Sequence, residues 1–565
     1  MQEFVYFSPS TLDFPLPESI AVTSQPTTKN QNNYIISNSD AVPAEVIAKE
    51  INFYIRNSQD PIASQIKNIE KLYNMNAIRF DLGQDMTYTQ KVDNRLLFVG
   101  TKEQEDEFIS HIASDEFDLY AVRPEIVTEI NGHIGNLEVT VMSNGKEVPV
   151  KVSQIVWYDH HEIAVEQSGS FDPLESSVEE VLQTLRKNIA HYEYKKFTVY
   201  DKNICQYHER REEICSKCEE VCPTVAIVKH DEEKHLEFSQ IDCHGCGGCI
   251  SVCPSGALDY APSNRESIFE IAKEMRGHVP LIIPRNMVIQ GLDVSLKEGV
   301  LPLALEGEKF LHEGTFLTLA QESGSQIIFY SDFISKGSRD SIDILNQIYQ
   351  KKYAVDAVLV AMNENELKEA LATAAPVENS RYTFNEEGAK KREIFAIRLR
   401  NIVGEEDLGV VTTGEHVHYG RVEVKESNCT LCLVCVGACN VGALIANTDD
   451  NTLRVNASIC TMCGYCEVSC PEADCLSIKK DVIELQPNWF KEEVLAKDTL
   501  FECVECGKPF ATTKAVMKIA EMMGPIFASD PIKERTLYCC EDCKPKIMME
   551  SYMQNPHHYN NAGDK

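Results

Sequence analysis

Four stretches of this chain repeat one cysteine pattern, and the rest of its 565 residues must fold around them. Cys243-His-Gly-Cys246-Gly-Gly-Cys249-Ile-Ser-Val-Cys253-Pro254 recurs as Cys460-Thr-Met-Cys463-Gly-Tyr-Cys466-Glu-Val-Ser-Cys470-Pro471. A third copy, Cys429-Thr-Leu-Cys432-Leu-Val-Cys435-Val-Gly-Ala-Cys439, has Asn440 where the others have proline. The fourth is stretched at its front: Cys205, then nine residues, then Cys215-Ser-Lys-Cys218-Glu-Glu-Val-Cys222-Pro223. The copies fall in two close pairs, 205–222 with 243–253 and 429–439 with 460–470.

The 22 cysteines are too sparse for a disulfide scaffold, and they are clustered: none precedes Cys205 and none lies between Cys253 and Cys429. Clusters of C-x2-C repeats point to metal in a reducing compartment. The opening Met-Gln-Glu-Phe-Val-Tyr-Phe carries no basic leader. No window approaches the roughly 18 apolar residues of a membrane span. The expectation is a cytoplasmic protein. Net charge is −33, from 87 acidic and 54 basic residues. A field of that sign repels nucleic-acid phosphate and anionic lipid, so no nucleic acid and no membrane span are expected. It suits docking to a basic patch on a redox partner, and equally a surface built for solubility.

The pattern C-x2-C-x2-C-x3-C-P is the one by which bacterial ferredoxins hold iron–sulfur clusters, which need soft, anionic thiolates. Two-residue gaps let three thiolates wrap one cluster from a tight loop. The fourth cysteine, followed by proline, leads into the neighbouring cluster. Cys205, Cys215, Cys218 and Cys253 are therefore expected on one [4Fe-4S] cluster, and Cys243, Cys246, Cys249 and Cys222 on the next. In the second pair, Cys429, Cys432, Cys435 and Cys470 form a third set, and Cys460, Cys463, Cys466 and Cys439 a fourth. Asn440 removes a conformational lock and no ligand. The competing reading, structural zinc knuckles, leaves the x3-C-Pro endings unexplained. Ile204, Ile214, Val221, Ile227, Ile241, Ile250, Val252 and Leu258 are expected to keep water from the first pair. Cys475 is left over and reads as a packed thiol.

The fold class expected is mixed α+β and α/β, multidomain. Residues 1–200 read as an N-terminal α/β domain of unassigned role. It begins with a polar, irregular lead-in over 1–40 holding one short strand. A helical stretch follows over 44–73, then a strand at 95–99 and a helix over 102–114. Strands over 125–130, 136–142 and 148–156 are joined in part by the hairpin signal Asn144-Gly145. A helix at 175–190 leads into the first ferredoxin-like unit, 201–262. Asp159-His160-His161-Glu162 reads as a solvated loop before it reads as a metal site. Neither a G-x-G-x-x-G nor a Walker sequence occurs, so a nucleotide site has no support. Residues 265–380 alternate strands (281–283, 301–305, 326–330, 357–361) with helices (308–322, 338–350, 364–373), the pattern of a parallel α/β spacer domain. Residues 381–427 read as a charged linker over 386–393, with strands at 394–399 and 422–424. The second ferredoxin-like unit is 428–480.

The tail, 500–550, carries Cys503-Val-Glu-Cys506-Gly-Lys-Pro-Phe510 and Cys540-Glu-Asp-Cys543. Two separated C-x2-C knuckles match a four-thiolate zinc site in a zinc-ribbon-like tail, with rubredoxin-like iron the nearest rival. Cys540 is preferred to Cys539 because it has the standard spacing to Cys543.

The stretched motif from Ile204-Cys205-Gln-Tyr-His to Cys222-Pro223, the motif Cys429 to Cys439, and the knuckles Cys503-Val-Glu-Cys506-Gly-Lys-Pro-Phe510 and Cys540-Glu-Asp-Cys543 come in one order over 200–550. Together they resemble bacterial 4Fe-4S-binding polyferredoxins often encoded near formate dehydrogenase genes. That resemblance implies electron traffic with a redox enzyme such as formate dehydrogenase. Glu129-Ile-Asn-Gly-His-Ile-Gly-Asn-Leu-Glu-Val139 is similar to a stretch of heterodisulfide reductase A subunits. The glycine-rich flavin motif is missing, so no flavin is carried over. The expectation is an electron-transfer protein with four [4Fe-4S] clusters and a tail Zn2+. No residue has an assigned bond-making role, so no catalytic activity of its own is expected. The rivals are an assembly or maturation factor for a redox enzyme, an electron-transfer subunit of a larger oxidoreductase complex, and a catalytic subunit whose substrate sits on the α/β domain.

Overall fold

The computed structural model describes residues 3–7, 16–22, 33–39, 44–84, 86–113, 115–158 and 167–554. The chain forms two compact units, Met1–Arg398 and Leu399–Lys565.

The first unit contains three parallel sheets. In the first sheet, strands Ala21–Val22, Glu3–Phe7, Asn33–Ser37 and Val46–Ile47 lie side by side in that order. Within the described residues of 1–40 there are thus three strands, where an irregular lead-in with one short strand was expected. Asn33–Ser37 pairs in register with Glu3–Phe7 across nearly thirty residues of chain, a partnership that local patterning does not reveal. Tyr34, Ile35 and Ile36 are buried by it. The second sheet orders Ser170–Phe171, Gln154–Trp157, Arg95–Val99 and Asp118–Val122. Leu96, Phe98 and Val156 face helices Lys102–Ile109 and Val178–Asn188. Leu97, Val99, Ile155 and Trp157 face an antiparallel sheet of Val127–His133, Asn136–Ser143 and Lys146–Val152. The period-two alternation of strands sorts these side chains to the two faces. Asn144 and Gly145 turn the hairpin with φ of 51° and 74°, as their type demands. Asp159 to Glu162 lie outside the described residues.

The third sheet orders Val300–Leu305, Val279–Pro284, Ile327–Tyr330 and Val358–Ala361, all parallel. Every residue of its first two strands is buried, so they read as continuous apolar runs. Helices Arg265–Glu274, Glu313–Ser323, Lys336–Tyr353 and Glu364–Thr373 accompany it.

The expected linker and the strand at 394–399 are corrected here. Lys391–Val403 is a helix. Lys391, Arg392, Ile394, Phe395, Ala396, Arg398, Leu399, Ile402 and Val403 are buried, most of them at helical spacing. A charged member of that buried stripe hides the period from a hydropathy reading. Arg398 is fully buried, with its guanidinium 2.5 Å from Glu386 and 2.9 Å from Glu322.

Through residue 554, the second unit consists of short antiparallel pairs and helices. Val410–Thr412 pairs with Val482–Glu484, and Leu500–Glu502 with Pro509–Thr512. Helices Thr513–Phe527, Pro531–Thr536 and Cys543–Gln554 follow.

Candidate metal centres

Each motif pair is framed in the same way. Around the first, an outer pair of strands, Thr198–Tyr200 with Leu258–Tyr260, encloses the hairpin Ile227–His230 with His235–Phe238. Around the second, Gly420–Val424 with Leu476–Lys480 encloses Leu444–Asn447 with Thr452–Asn456. Cysteines sit on loops and on short helices, Lys217–Glu220 and Gly248–Val252 in one pair, Val434–Ala438 and Tyr465–Val468 in the other.

The first frame encloses two cavities. One is lined by Cys205, Cys215, Cys218 and Cys253, with Tyr200, Tyr207, Leu236 and Leu258. The other is lined by Cys222, Cys243, Cys246 and Cys249, with Thr198, Val221 and Ile227. The fourth cysteine of each motif therefore reaches the other motif's cavity. Phe238 lines both, and its ring lies 4.7 Å from that of Tyr200. Sequence reasoning missed both aromatics, because the hairpin register aims Phe238 and the outer-strand pairing aims Tyr200 at the sulfurs. Burial pushes the Cys218 and Cys249 thiols well above their usual range, and each also feels the other's cysteine set. Burial likewise lifts Cys215 to about 12. Cys215 and Cys218 in one cavity, and Cys243 and Cys249 in the other, resist ionising unless a cationic centre holds them as thiolates.

Backbone geometry explains how the intact loops wrap. In each, the residue before the second cysteine and the residue after it take left-handed φ. These are Gly245 (69°) and Gly247 (80°), Leu431 (53°) and Leu433 (61°), Met462 (56°) and Gly464 (88°). Left-handed leucine and methionine cost about 1–2 kcal/mol each, a strain the enclosing frame must hold. The turns point N–H groups at sulfur: Gly245 N donates to Cys243 Sγ at 3.4 Å. In the stretched motif, Tyr207 N donates to Cys205 Sγ at 3.4 Å. Donors of this kind suit an anionic cluster.

In the second frame, one cavity is lined by Cys429, Cys432, Cys435 and Cys470. Cys475 lines it too, buried and in contact with Cys429 and Cys470. The reading of Cys475 as a packed thiol holds for its burial but missed this placement. It immediately precedes the strand that closes the frame, and its carbonyl accepts from Lys425 N at 2.7 Å. Burial raises the Cys435 thiol to about 12, with Cys429, Cys432 and Cys470 adding to the rise. Cys460, Cys463, Cys439 and then Cys435 act in the same way on Cys466, after burial itself.

The tail differs in scale. The sulfurs of Cys503, Cys506, Cys540 and Cys543 all lie within 4.8 Å of one another, and Cys506 and Cys540 are 3.7 Å apart. A tetrahedral ion with bonds of about 2.3 Å sets its thiolates about 3.8 Å apart. A four-iron cluster spreads them wider, so this donor set fits a single ion. Burial would push the Cys503 thiol up. Backbone N–H groups of Cys540, Cys506 and Glu505 outweigh it and bring the thiol down to about 6. Gly507, at φ 73°, folds the knuckle so that its N–H meets the Cys503 carbonyl at 2.8 Å. Cys539 is not one of the four: it packs beside Cys503, and its Sγ donates to the Arg535 carbonyl at 3.3 Å.

Residues 213–257 match the 4Fe-4S dicluster domain family. The chain carries a ferredoxin-type 4Fe-4S domain. The matched stretch spans seven of the eight cysteines of the first pair and begins after Cys205, the residue set apart by the stretched motif. Comparison with curated proteins gives no match. The domain supports iron–sulfur electron transfer. Among the described residues, no helix is long and apolar enough to cross a membrane.

Proposed function

We propose that this chain is a polyferredoxin-like electron relay with four [4Fe-4S] clusters in two ferredoxin-like units, 201–262 and 428–480. A zinc-binding tail at 500–550 completes it. The observation that carries this reading is the gathering of three cysteines of one motif with the fourth cysteine of its partner motif around one cavity, the interleaving by which paired ferredoxin clusters are held. When bound, such clusters accept and release one electron at a time. The protein's own part is spacing, burial and N–H donation to sulfur. Cys218 and Cys249 lie close enough to oppose each other's ionisation although they belong to different sets, and Phe238 fills the space between. The same holds for Cys435 and Cys466. The N-terminal region 1–200 and the spacer 265–380 act as packing and docking surface, in the cytoplasm. On the family resemblance the partner is a redox enzyme such as formate dehydrogenase.

Anaerobically purified protein should bind about sixteen iron and sixteen sulfide, four of each per cubane cluster, plus one zinc. Iron near eight would reject one unit. A red, iron-loaded tail in place of zinc would reject the tail assignment. Co-purification from the native host that brings down no redox protein would reject the relay's proposed partners.

A further inference from the structure

We propose that Lys391, backed by Glu313, raises the reduction potential of the cluster held through Cys253. The inference rests on the relay reading above. Lys391 opens the helix Lys391–Val403, and its side chain is 2 % exposed. Its Nζ donates to the carbonyls of Ser251 and Cys253, both at 3.1 Å. The neighbouring Arg392 donates through Nε to the Pro254 carbonyl at 3.0 Å. Arg265 reaches the Gly256 carbonyl at 3.2 Å. Three cations thus converge on the turn by which Cys253 leaves the short helix Gly248–Val252.

The carbonyls at a helix end need donors, but a neutral donor would serve. Burying an ammonium costs several kcal/mol, which capping alone does not require. Its charge has an asymmetric setting. The ammonium is the member of the pair that meets the Cys253 turn and feels the Cys253 thiolate, and Glu313 Oε2 lies 3.3 Å from Nζ. Ser341 Oγ reaches that carboxylate at 3.4 Å. His312, 3.9 Å away, accepts from Gly314 N at 3.0 Å through Nδ1, which keeps the ring neutral. Asp259, the partner of Arg265 at 3.2 Å, is the other acid at this turn. The pair therefore presents its positive end to a site whose bound cluster would gain one negative charge on reduction. Within a low-dielectric interior that orientation favours the added electron.

The matching turn of the second unit is built differently. Glu472 follows Cys470-Pro471, where Ser255 follows Cys253-Pro254, and Glu472 pairs with the half-exposed Lys518. Among the described residues, the buried lysine–glutamate pair stands at the Cys253 turn and a part-exposed one at the Cys470 turn.

The test is a redox titration of the full chain under dithionite, followed by electron paramagnetic resonance, with iron assayed on each sample. Lys391→Met should shift one reduction step to lower potential and leave the others in place. Lys391→Arg should restore it. Glu313→Gln, which leaves the cation without its counter-charge, should shift the same step upward. Full iron with that step unmoved in both variants, or shifts of one sign in both, overturns the inference. If Lys391→Met loses iron, the Lys391→Met/Glu313→Gln double variant replaces it: the step should lie below that of Glu313→Gln alone, and equality overturns the inference. Absence of four-iron signals in the unaltered chain overturns the relay reading itself, a failure seen before any variant is made.

Discussion

The two cysteine-rich units share a chain path and differ in what presses on it. Gly247 and Gly464 take the same step, one residue past the second cysteine of their loops. A Cβ on Gly247 would lie 2.7 Å from Phe310 Cβ and 3.0 Å from its backbone nitrogen. On Gly464 the nearest atom would be Ile478 Cδ1 at 3.9 Å. The short helix that follows is buried in the first unit at Gly248, Ile250, Ser251 and Val252. In the second, Val468 is 51 % exposed, and Cys432, Leu433 and Val434 also face solvent. Equal ligand spacing therefore says nothing about access. Under the proposed relay the first pair is an interior station, and the open loops of the second are where a partner protein can come close.

The sharpest way to break this comparison is to remove one crossing cysteine from each unit. Cys253→Ser should lower bound iron by about four atoms per chain, one cubane. Cys470→Ser should lower it by less, because the Cys475 thiol already touches Cys470 and Cys429. Iron assay with absorbance near the cluster bands reads both, and equal losses would deny Cys475 any part in the site.

Next in size is the ionic core. Arg398→Met strands Glu322 and Glu386 inside the first unit and should cost about 3–5 kcal/mol there. Arg421→Met, which breaks pairs to Glu484 and Glu493 on a partly exposed face of the second unit, should cost about 1 kcal/mol or less. Denaturant unfolding followed by circular dichroism would show the contrast as unequal midpoint shifts.

The smallest difference is in the turn glycines. Gly464→Ala adds only left-handed strain, about 1–2 kcal/mol. Gly247→Ala adds that and an overpacking penalty against Phe310, for about 3 kcal/mol in all. Similar losses in the two variants would mean that the first unit is less tightly enclosed than its contacts indicate.

What could be read beforehand was whatever depends on local order. The cysteine spacing, the hairpin at Asn144-Gly145 and the strand–helix alternation over 279–373 are local patterns, and they appear where expected. The parallel pairing of Glu3–Phe7 with Asn33–Ser37 is non-local and was not legible. Helix Lys391–Val403 was misread for a different reason. A buried arginine and a buried lysine count as solvent-facing in any hydropathy scale, and only their partners, Glu322, Glu386 and Glu313, reveal the opposite. The left-handed turns at Leu431, Leu433 and Met462 carried no glycine to mark them.

The tail is also laced to the loop of the third cysteine set. Thr512 Oγ1 donates to the Thr430 carbonyl at 2.8 Å, Thr430 Oγ1 donates to Glu472 at 2.9 Å, and Lys518 closes the lattice on Glu472. Lys514 ties in at the Glu426 carbonyl, 2.7 Å away. These ties impose an order on biogenesis. Translation delivers Cys429 to Cys470 before the residues that fasten over them. Under the proposed relay, the growing chain has an interval in which the loop around Cys429 is unlatched and can take up its cluster, and docking of Thr512 and Lys514 ends that interval.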